Sequence, residues 1–350
     1  MKILYLPCHS VHEYDEVRMF HEMGHEIFSP GAYFNPQSDE FLRPGIPGLV
    51  YDQSIVQQYD DIGKVHRGKD HRGREIALDA KDYLTKEFVD NFDIVIVMSL
   101  RRWVERNWDA IKHKNVILRT NGQSDEAYEE FVSEYRKYGN FKVVRYSPYE
   151  RYFPNYGGED AMIRFGKKLH EYPLWEGDNL QLSTLVQDMK GRSEACSWEI
   201  FLELSKRINC KLYGMSNEDA GDLWFGKKTT LSETLDMFKH TRAYFYGGTK
   251  PANYTLNFIE ALCVGCPIVA LGDKLGNLPG QQTYEITNII ENGTDGFCGN
   301  SVDELVEYTQ ELFDNPTLAK TMSDGSRRIA EKLFNEKNKK LEWNEFFNQL

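Results

Sequence analysis

The chain has 350 residues, of which 41% are hydrophobic and 13% aromatic, and its formal net charge is −12. This length exceeds what one hydrophobic core usually organises, so we expect two domains. The acidic balance disfavours a nucleic-acid-binding protein, although a local basic patch would still allow one.

Targeting signals and disulfides are not indicated. The opening residues Met1–Pro7 hold too few apolar side chains for a signal peptide, and no apolar run approaches the length of a membrane span. The six cysteines are scattered and lie mostly in apolar elements, without the spacing of a disulfide framework. These features predict a cytoplasmic protein.

Strand-like and helical patterns alternate in the first half of the chain. The predicted strands lie near Ile3–Leu6, Glu26–Ser29, Ile94–Met98, Val116–Arg119 and Lys142–Tyr146. The predicted helices lie near Glu13–Met23, Glu75–Asp90, Arg101–Ile111 and Asp125–Tyr138. The segment Pro148–Gly177, rich in Tyr, Pro and Gly, interrupts the alternation and predicts a domain boundary.

The second half repeats the alternation. Strands are predicted near Leu180–Val186, Lys211–Tyr213, Ala243–Tyr246 and Ile268–Leu271. Helices are predicted near Glu194–Arg207, Leu231–His240, Tyr254–Cys263, Val302–Asp314 and Pro316–Phe334. Such alternation is typical of parallel sheets covered by helices. We therefore predict an α/β fold of two doubly wound domains facing each other across a cleft.

Residues 243–271 are the most informative segment. An apolar strand leads into a Gly-Gly-Thr loop, a helix carrying Glu260, a Gly-Cys-Pro turn and a second apolar strand. In a parallel sheet the loop, the helix N-terminus and Glu260 would meet at the carboxyl edge, where open α/β sheets bind nucleotides and phosphorylated ligands.

The run Glu260–Ala270 (EALCVGCPIVA) resembles the donor-binding signature of retaining glycosyltransferases of the GT-B fold. Roughly residues 180–348 match that family in order and spacing, whereas the first half matches only in outline. The family pattern has a second acidic residue eight positions earlier, where this chain has Ala252. The resemblance implies that Glu260 holds the ribose of a nucleotide, whereas the acid that helps to hold the transferred sugar is absent.

The resemblance also implies the domain bounds and the donor site. The acceptor-side domain would span residues 1–170 and the donor domain 178–333, with 334–350 forming a helix that crosses back to the first domain. Lys190 and Arg192 would neutralise a diphosphate leaving group, although Gln187 stands where the family usually has an arginine. The predicted donor-binding residues are Tyr213, Gly214, Met215, Gly247, Gly248, Thr249, Asn253, Tyr254, Thr255 and Glu260.

The first domain would supply the catalytic and acceptor side. His9 and Ser10 follow the first strand, and Asn121 and Gln123 follow a central one, so His9, Asn121 and Gln123 are candidate catalytic residues and Ser10 a candidate acceptor contact. No conventional base is visible among them. Retaining enzymes of this fold are thought to need no strong protein base.

A metal site is not predicted. His21-Glu22-Met23-Gly24-His25 matches H-E-x-x-H, but Gly24 should end the helix and place His25 at the start of a strand, so the two imidazoles would not share a face. No Walker A loop and no G-x-G-x-x-G run occur, so nucleoside-triphosphatase and dehydrogenase functions lose their main support.

A basic run at 64–74 contrasts with the acidic chain. It contains five basic residues and one aspartate, and it predicts either a site for a phosphate-bearing acceptor or a solvated loop. The candidate acceptor contacts are Lys64, Arg67, Lys69, Arg72 and Arg74.

The sequence therefore predicts a metal-independent glycosyltransferase without a cofactor, which moves a sugar from a nucleotide-diphosphate donor to a hydroxyl with retention. We expect a UDP-sugar rather than a GDP-sugar. The acceptor is open between a glycan, a small molecule and a hydroxymethylated base in DNA, as in the phage DNA glucosyltransferases. A GT-B-shaped nucleotide- or glycan-binding protein without activity is the alternative of another class.

Overall fold

A computed structural model of the chain describes residues 1–38, 42–65, 68–69, 75–76, 83–224 and 230–350. Its strands, in chain order, are β1 (Lys2–Leu6), β2 (Glu26–Phe28), β3 (Gly68–Lys69), β4 (Glu75–Ile76), β5 (Ile94–Met98), β6 (Asn115–Arg119), β7 (Phe141–Arg145), β8 (Ala161–Met162), β9 (Asn179–Leu185), β10 (Cys210–Tyr213), β11 (Thr241–Tyr246), β12 (Ile268–Leu271) and β13 (Phe297–Gly299).

The α-helices follow the same alternation. They are α1 (Ser10–Glu22), α2 (Gln53–Val65), α3 (Lys86–Val89), α4 (Arg101–Ile111), α5 (Glu126–Tyr135), α6 (Ser193–Cys196), α7 (Trp198–Ser205), α8 (Leu231–His240), α9 (Leu256–Val264), α10 (Asp273–Gly276), α11 (Ile286–Ile289), α12 (Val302–Asp314), α13 (Pro316–Phe334) and α14 (Glu336–Phe347). None of the helices within the described ranges has the length and apolar content needed to cross a bilayer.

The first domain is built on a parallel sheet of order β2-β1-β5-β6-β7-β8. Every residue of β5 (IVIVM) is buried, as expected for a central strand with helices on both faces. β2 is added on one side of β1 and β5 on the other side, so the strand order changes direction between β1 and β5. The short antiparallel pair β3–β4 stands apart from this sheet.

The second domain is built on a parallel sheet of order β10-β9-β11-β12-β13. Its reversal lies between β9 and β11, so the loops after these two strands diverge and leave a crevice at the carboxyl edge. Two doubly wound parallel sheets confirm the predicted α/β class.

Two chain segments connect the domains, one at Lys167 and the other at Phe334–Glu336, and these segments lie beside each other. The backbone N–H of Lys167 donates to the carbonyl of Phe334 (2.7 Å), and the N–H of Glu336 donates to the carbonyl of Lys167 (3.0 Å). Beyond this crossing, α14 lies against α1 of the first domain, where the ring centroid of the fully buried Trp343 is 5.0 Å from that of Phe20.

Two local predictions differ from the structure, and one long helix was not predicted. The predicted helix Glu75–Asp90 does not begin at Glu75, because Glu75–Ile76 is a strand; residues 77–82 lie outside the described residues, and Lys86–Val89 is helical. The helix Gln53–Val65 was not predicted. The helix predicted over Glu194–Arg207 is interrupted at Ser197, which has φ 61° and donates its hydroxyl to the Gly247 carbonyl (2.9 Å). The local sequence pattern does not indicate this tertiary contact, because Gly247 lies 50 residues further along the chain.

The H-E-x-x-H run does not lie on one helix. Helix α1 ends at Glu22, and Gly24 has φ 86°, a left-handed conformation that glycine adopts readily. Glu22 instead pairs with Lys168 and with Lys340 (2.7 Å).

Candidate functional site

A cavity of about 430 Å³ lies between the domains, at the carboxyl ends of both sheets. The first domain contributes the loops after β1, β5 and β6, and the second contributes the loops after β9, β10 and β11 together with the start of α9. In each sheet the cavity therefore lies at the topological switch point, where the strand order changes direction and where open α/β sheets bind their ligands.

Most of the residues that the sequence singled out meet at this cavity. They are His9, Asn121, Gln123, Arg192, Gly214, Met215, Gly247, Gly248, Thr249, Tyr254, Thr255 and Glu260. Gln187 and Ala252 also line it. Ala252 is 5% exposed, so the position of the missing family acid presents a methyl group to the cavity.

Four predicted residues lie elsewhere. Lys190 is exposed and its Nζ donates to the Asp219 carbonyl (3.1 Å), with the Asp219 carboxylate 3.4 Å away. The Tyr213 hydroxyl accepts a hydrogen bond from Gln181 Nε2 (3.3 Å). The fully buried Asn253 donates its amide to the Thr283 carbonyl (2.6 Å), and Ser10 begins α1 without lining the cavity.

The basic run cannot be placed in this way. Arg67, Arg72 and Arg74 lie outside the described residues, as do the side chains of Lys64 and Lys69.

The second-domain wall offers backbone donors. After β11 the chain turns at Gly247 and Gly248, the latter with φ 75°, and enters α9 at Leu256. Thr255 is the N-cap residue but makes no capping hydrogen bond with its side chain. The first-turn N–H groups of a helix have no intrahelical acceptor, and together with the helix dipole they favour an anion such as phosphate.

Glu260 is the charged centre of the cavity wall. Its side chain is 1% exposed, and Arg43 Nη2 and Lys167 Nζ (3.0 Å) both donate to the same oxygen, Oε1. Lys167 also donates to Asp15 Oδ2 (2.6 Å). No described residue donates a hydrogen bond to the other oxygen, Oε2.

The charges around Glu260 keep it ionised. Burial alone would raise the pKa of this carboxyl, but Arg43 and Lys167 outweigh burial and hold its pKa below the ordinary value. Burial would likewise lower the pKa of Lys167, but Asp15 and Glu260 raise it above the ordinary value. The four groups form two positive and two negative charges, so the buried cluster is neutral overall.

Nothing near Glu260 in the sequence indicates its partners. An acid on an apolar helix indicates a partner, but Arg43 lies 217 residues away along the chain and Lys167 lies 93 residues away. Both come from the first-domain side. No local pattern could have found this pairing.

The first-domain wall carries two neutral imidazoles. His9 Nδ1 accepts a hydrogen bond from the Val11 N–H (3.2 Å), so in the neutral ring the proton is on Nε2. Burial and then Arg43 lower the pKa of His9. Burial, His9, Lys167 and Arg119 lower the pKa of His12 well below its usual value.

A second contact between the domains lies beside the cavity. Glu285 accepts from Arg164 on both oxygens, one at 3.1 Å, and from the Ser147 hydroxyl. The Tyr146 hydroxyl accepts from the N–H of Tyr254 (3.2 Å), and the Tyr254 hydroxyl donates to the Tyr146 carbonyl (2.8 Å). This contact leaves no carboxylate oxygen of Glu285 unused.

Two facing doubly wound domains, with a cavity between the carboxyl ends of their sheets and a crossing α14, define the GT-B fold. Solved structures that superpose on the whole chain support this fold assignment. Sucrose-phosphate synthase from Thermosynechococcus elongatus superposes with a TM-score of 0.68 at 12% identity, over 100% of this chain and 98% of that one. Anabaena HepE, solved in complex with UDP-glucose, superposes with a TM-score of 0.67 at 12% identity over the whole of both chains.

Similarity in sequence is weaker. An uncharacterized glycosyltransferase of Haemophilus influenzae is 23% identical over 145 residues, a match that covers 38% of this chain and 38% of that protein. The matched part is thus little more than a third of that relative's length. No protein-family model matches the chain.

Proposed function

We propose that the protein is a glycosyltransferase that moves a sugar from a nucleotide-diphosphate donor to a hydroxyl. The observation that carries this proposal is Glu260, an ionised carboxylate at the cavity wall with one oxygen held by two cations and the other without a donor among the described residues. An acceptor-only group beside a helix N-terminus suits a ribose hydroxyl next to a diphosphate.

The second-domain loops provide a place for the leaving group. Departure of a nucleoside diphosphate increases negative charge on the phosphates. The Gly247–Gly248 backbone, the first turn of α9 and Arg192 stand where fixed positive ends would stabilise that charge. We propose that these groups act without a divalent cation and that Lys190, paired with Asp219, takes no part.

The first-domain wall would hold the acceptor. His9 has its Nε2–H free of the capping bond, and Asn121 and Gln123 also line the cavity. These neutral groups suit a hydroxyl-bearing acceptor, namely a glycan or a small molecule. A phosphate-bearing acceptor such as DNA would depend on the basic run outside the described residues.

The proposed donor base and stereochemistry are supported by likeness to other proteins. HepE was solved in complex with UDP-glucose and shares the fold over its whole length, which supports a UDP-sugar donor here. The resemblance of Glu260–Ala270 to the retaining family supports retention. Six unpaired cysteines, five of them buried, support a cytoplasmic, reducing compartment.

A nucleotide-binding protein without activity is the second candidate. Ala252 favours it, because a methyl group faces the cavity where the family has the acid that helps to hold the transferred sugar.

Calorimetric titration with UDP, GDP and ADP in the presence of EDTA tests the donor site, followed by UDP release from UDP-glucose and UDP-N-acetylglucosamine. We expect UDP binding without metal and a loss of about tenfold in affinity for Glu260→Gln, since a hydrogen bond to a charged group contributes about 1.5–3 kcal/mol. Exposed Lys206→Met is the matched control and should bind as the wild type does.

The outcomes separate the candidates. Tight UDP binding with no turnover of any donor favours the inactive binding protein. A folded protein that binds none of the nucleotides overturns the proposal.

A further inference from the structure

We propose that Arg43, a first-domain residue, positions Glu260 so that the donor site distinguishes ribose from deoxyribose. The inference rests on the proposed function and deepens it, because it assigns the recognition of the sugar in the nucleotide to a residue pair that spans the two domains. Arg43 would act through Glu260 and is therefore a positioning residue.

Arg43 is held firmly at the cavity wall. Its side chain is 7% exposed, Nη1 donates to the Leu42 carbonyl (3.0 Å) and Nη2 donates to Glu260 Oε1. A guanidinium is a planar fork with a fixed geometry. Two of its nitrogens fixed in this way leave the fork little freedom to rotate, so the carboxylate oxygen that it binds is fixed as well.

A second cation at the same oxygen also fixes the orientation of the Glu260 carboxylate. Lys167 Nζ donates to Oε1 of Glu260 at 3.0 Å and to Asp15 at 2.6 Å. Two cations that converge on one carboxylate oxygen set the rotation of the whole group. The remaining oxygen, Oε2, is then left for a donor that is not part of the described chain.

The ligand chemistry that matches Oε2 is a hydroxyl. An ionised carboxylate only accepts hydrogen bonds, and a ribose presents vicinal hydroxyls that donate them. A deoxyribose that lacks the contacted hydroxyl would leave Oε2 desolvated without a donor. A site built to bind a hydroxyl rejects the analogue that lacks it for this reason.

The position of Arg43 makes its own contribution conditional. Arg43 belongs to the first domain and Glu260 to the second, so this ion pair forms only while the two walls of the cavity are in contact.

The test compares the affinity for UDP with that for 2′-deoxy-UDP and 3′-deoxy-UDP in four proteins: wild type, Arg43→Met, Arg43→Lys and Arg192→Met. The wild type should prefer UDP over at least one deoxy analogue by about tenfold, the size of a charged hydrogen bond. Arg43→Met should reduce that preference to about twofold. Arg192→Met is the matched control at the diphosphate, so it should weaken all three ligands and leave the ratio unchanged.

Arg43→Lys covers the case in which Arg43→Met fails to fold. Because lysine lacks the planar fork, the preference of Arg43→Lys for UDP over the deoxy analogue should also fall by at least about threefold. An unchanged ratio in the folded Arg43 variants overturns the inference while UDP binding itself persists. Absence of UDP binding in the wild type would instead overturn the proposed function, so the two failures are distinguishable.

Discussion

Glu260 and Glu285 are two buried glutamates of the second domain, and each is paired with a cation from the first-domain side. Glu285 has both oxygens occupied, by the fork of Arg164 and by Ser147. Glu260 lines the cavity, and within the described part of the chain two cations donate to its Oε1 and none to its Oε2. A carboxylate whose two oxygens both accept hydrogen bonds from the protein joins the domains. A carboxylate at a cavity with one oxygen still open to a donor can also bind a ligand.

The comparison shows why burial and ion pairing alone do not separate structural from functional acids. Both glutamates are less than 5% exposed and both have a basic partner across the domain contact. The distinction lies in the count of unused lone pairs and in what faces them. Arg164→Met tests this distinction directly, and three predictions on other groups come after it in decreasing order of expected effect.

Arg164→Met should destabilise the protein most. It leaves Glu285 buried with Ser147 as its one remaining side-chain partner in the described ranges, and removing one member of a buried pair typically costs about 3–5 kcal/mol. Affinity for UDP should stay within about twofold of the wild type. Urea unfolding and titration of the same samples check this, with Glu260→Gln as the comparison variant that should lose affinity for UDP.

If Arg164→Met weakened UDP binding as much as Glu260→Gln does, the two glutamates would not differ in role. The division between a structural and a ligand-binding contact would then be wrong.

Tyr146→Phe should have the next largest effect. The hydroxyl accepts from the N–H groups of Asn253 (3.0 Å) and Tyr254 (3.2 Å), and its loss leaves buried donors unpaired at a cost of about 1–3 kcal/mol. Thermal unfolding measures this loss. Tyr138→Phe, at a half-exposed ring, is the control and should leave the midpoint unchanged; equal shifts in both variants would contradict the assignment.

His12→Phe should change the dependence of stability on pH. Burial lowers the pKa of His12 in the folded protein, so below about pH 6.5 the unfolded chain binds a proton that the folded protein does not. Stability of the wild type should therefore fall as the pH drops from 7 to 5.5. The variant lacks this group and should lose less, by up to about 1.4 kcal/mol per pH unit.

Urea midpoints at pH 7.5, 6.5 and 5.5 provide the measurement. Parallel curves for the wild type and His12→Phe would show that the imidazole is not held neutral by its surroundings.

Lys190→Met should have the smallest effect. The ammonium group is exposed and paired with Asp219 outside the cavity, so the affinity for UDP should change by less than about twofold. Titration checks this. A tenfold loss would support the role predicted from the sequence and would mean that Lys190 reaches the diphosphate when a ligand is bound.

Local signals in the sequence predicted much of the fold. The helices at Val302–Asp314 and Pro316–Phe334 have the predicted bounds, because each begins with its own cap: Ser301 accepts from the Glu304 N–H, and Asn315 accepts from the Leu318 N–H just before Pro316 sets the first turn. Such caps involve neighbours in the chain. They can be identified without knowledge of the rest of the molecule.

The site was predictable only in part for the opposite reason. The glycines after β11 and the acid of α9 form a local pattern, and they line the cavity. Arg43, Lys167 and Arg164 owe their roles to contacts across the domain boundary, and nothing in their own neighbourhoods distinguishes them from solvated basic residues. Lys190 shows the converse, since a basic residue in a suitable loop is oriented by Asp219 and away from the cavity.

The adjacent connections between the domains have a mechanical consequence. The backbone of Lys167 bonds to Phe334 and Glu336 on the adjacent connection, so the two chain crossings between the domains lie beside each other. A movement of the domains that pivots at this paired segment would keep these hydrogen bonds, whereas one that slides the two segments past each other would break them. We therefore expect an opening of the cleft to be a rotation at this paired segment rather than a sliding of one domain along the other.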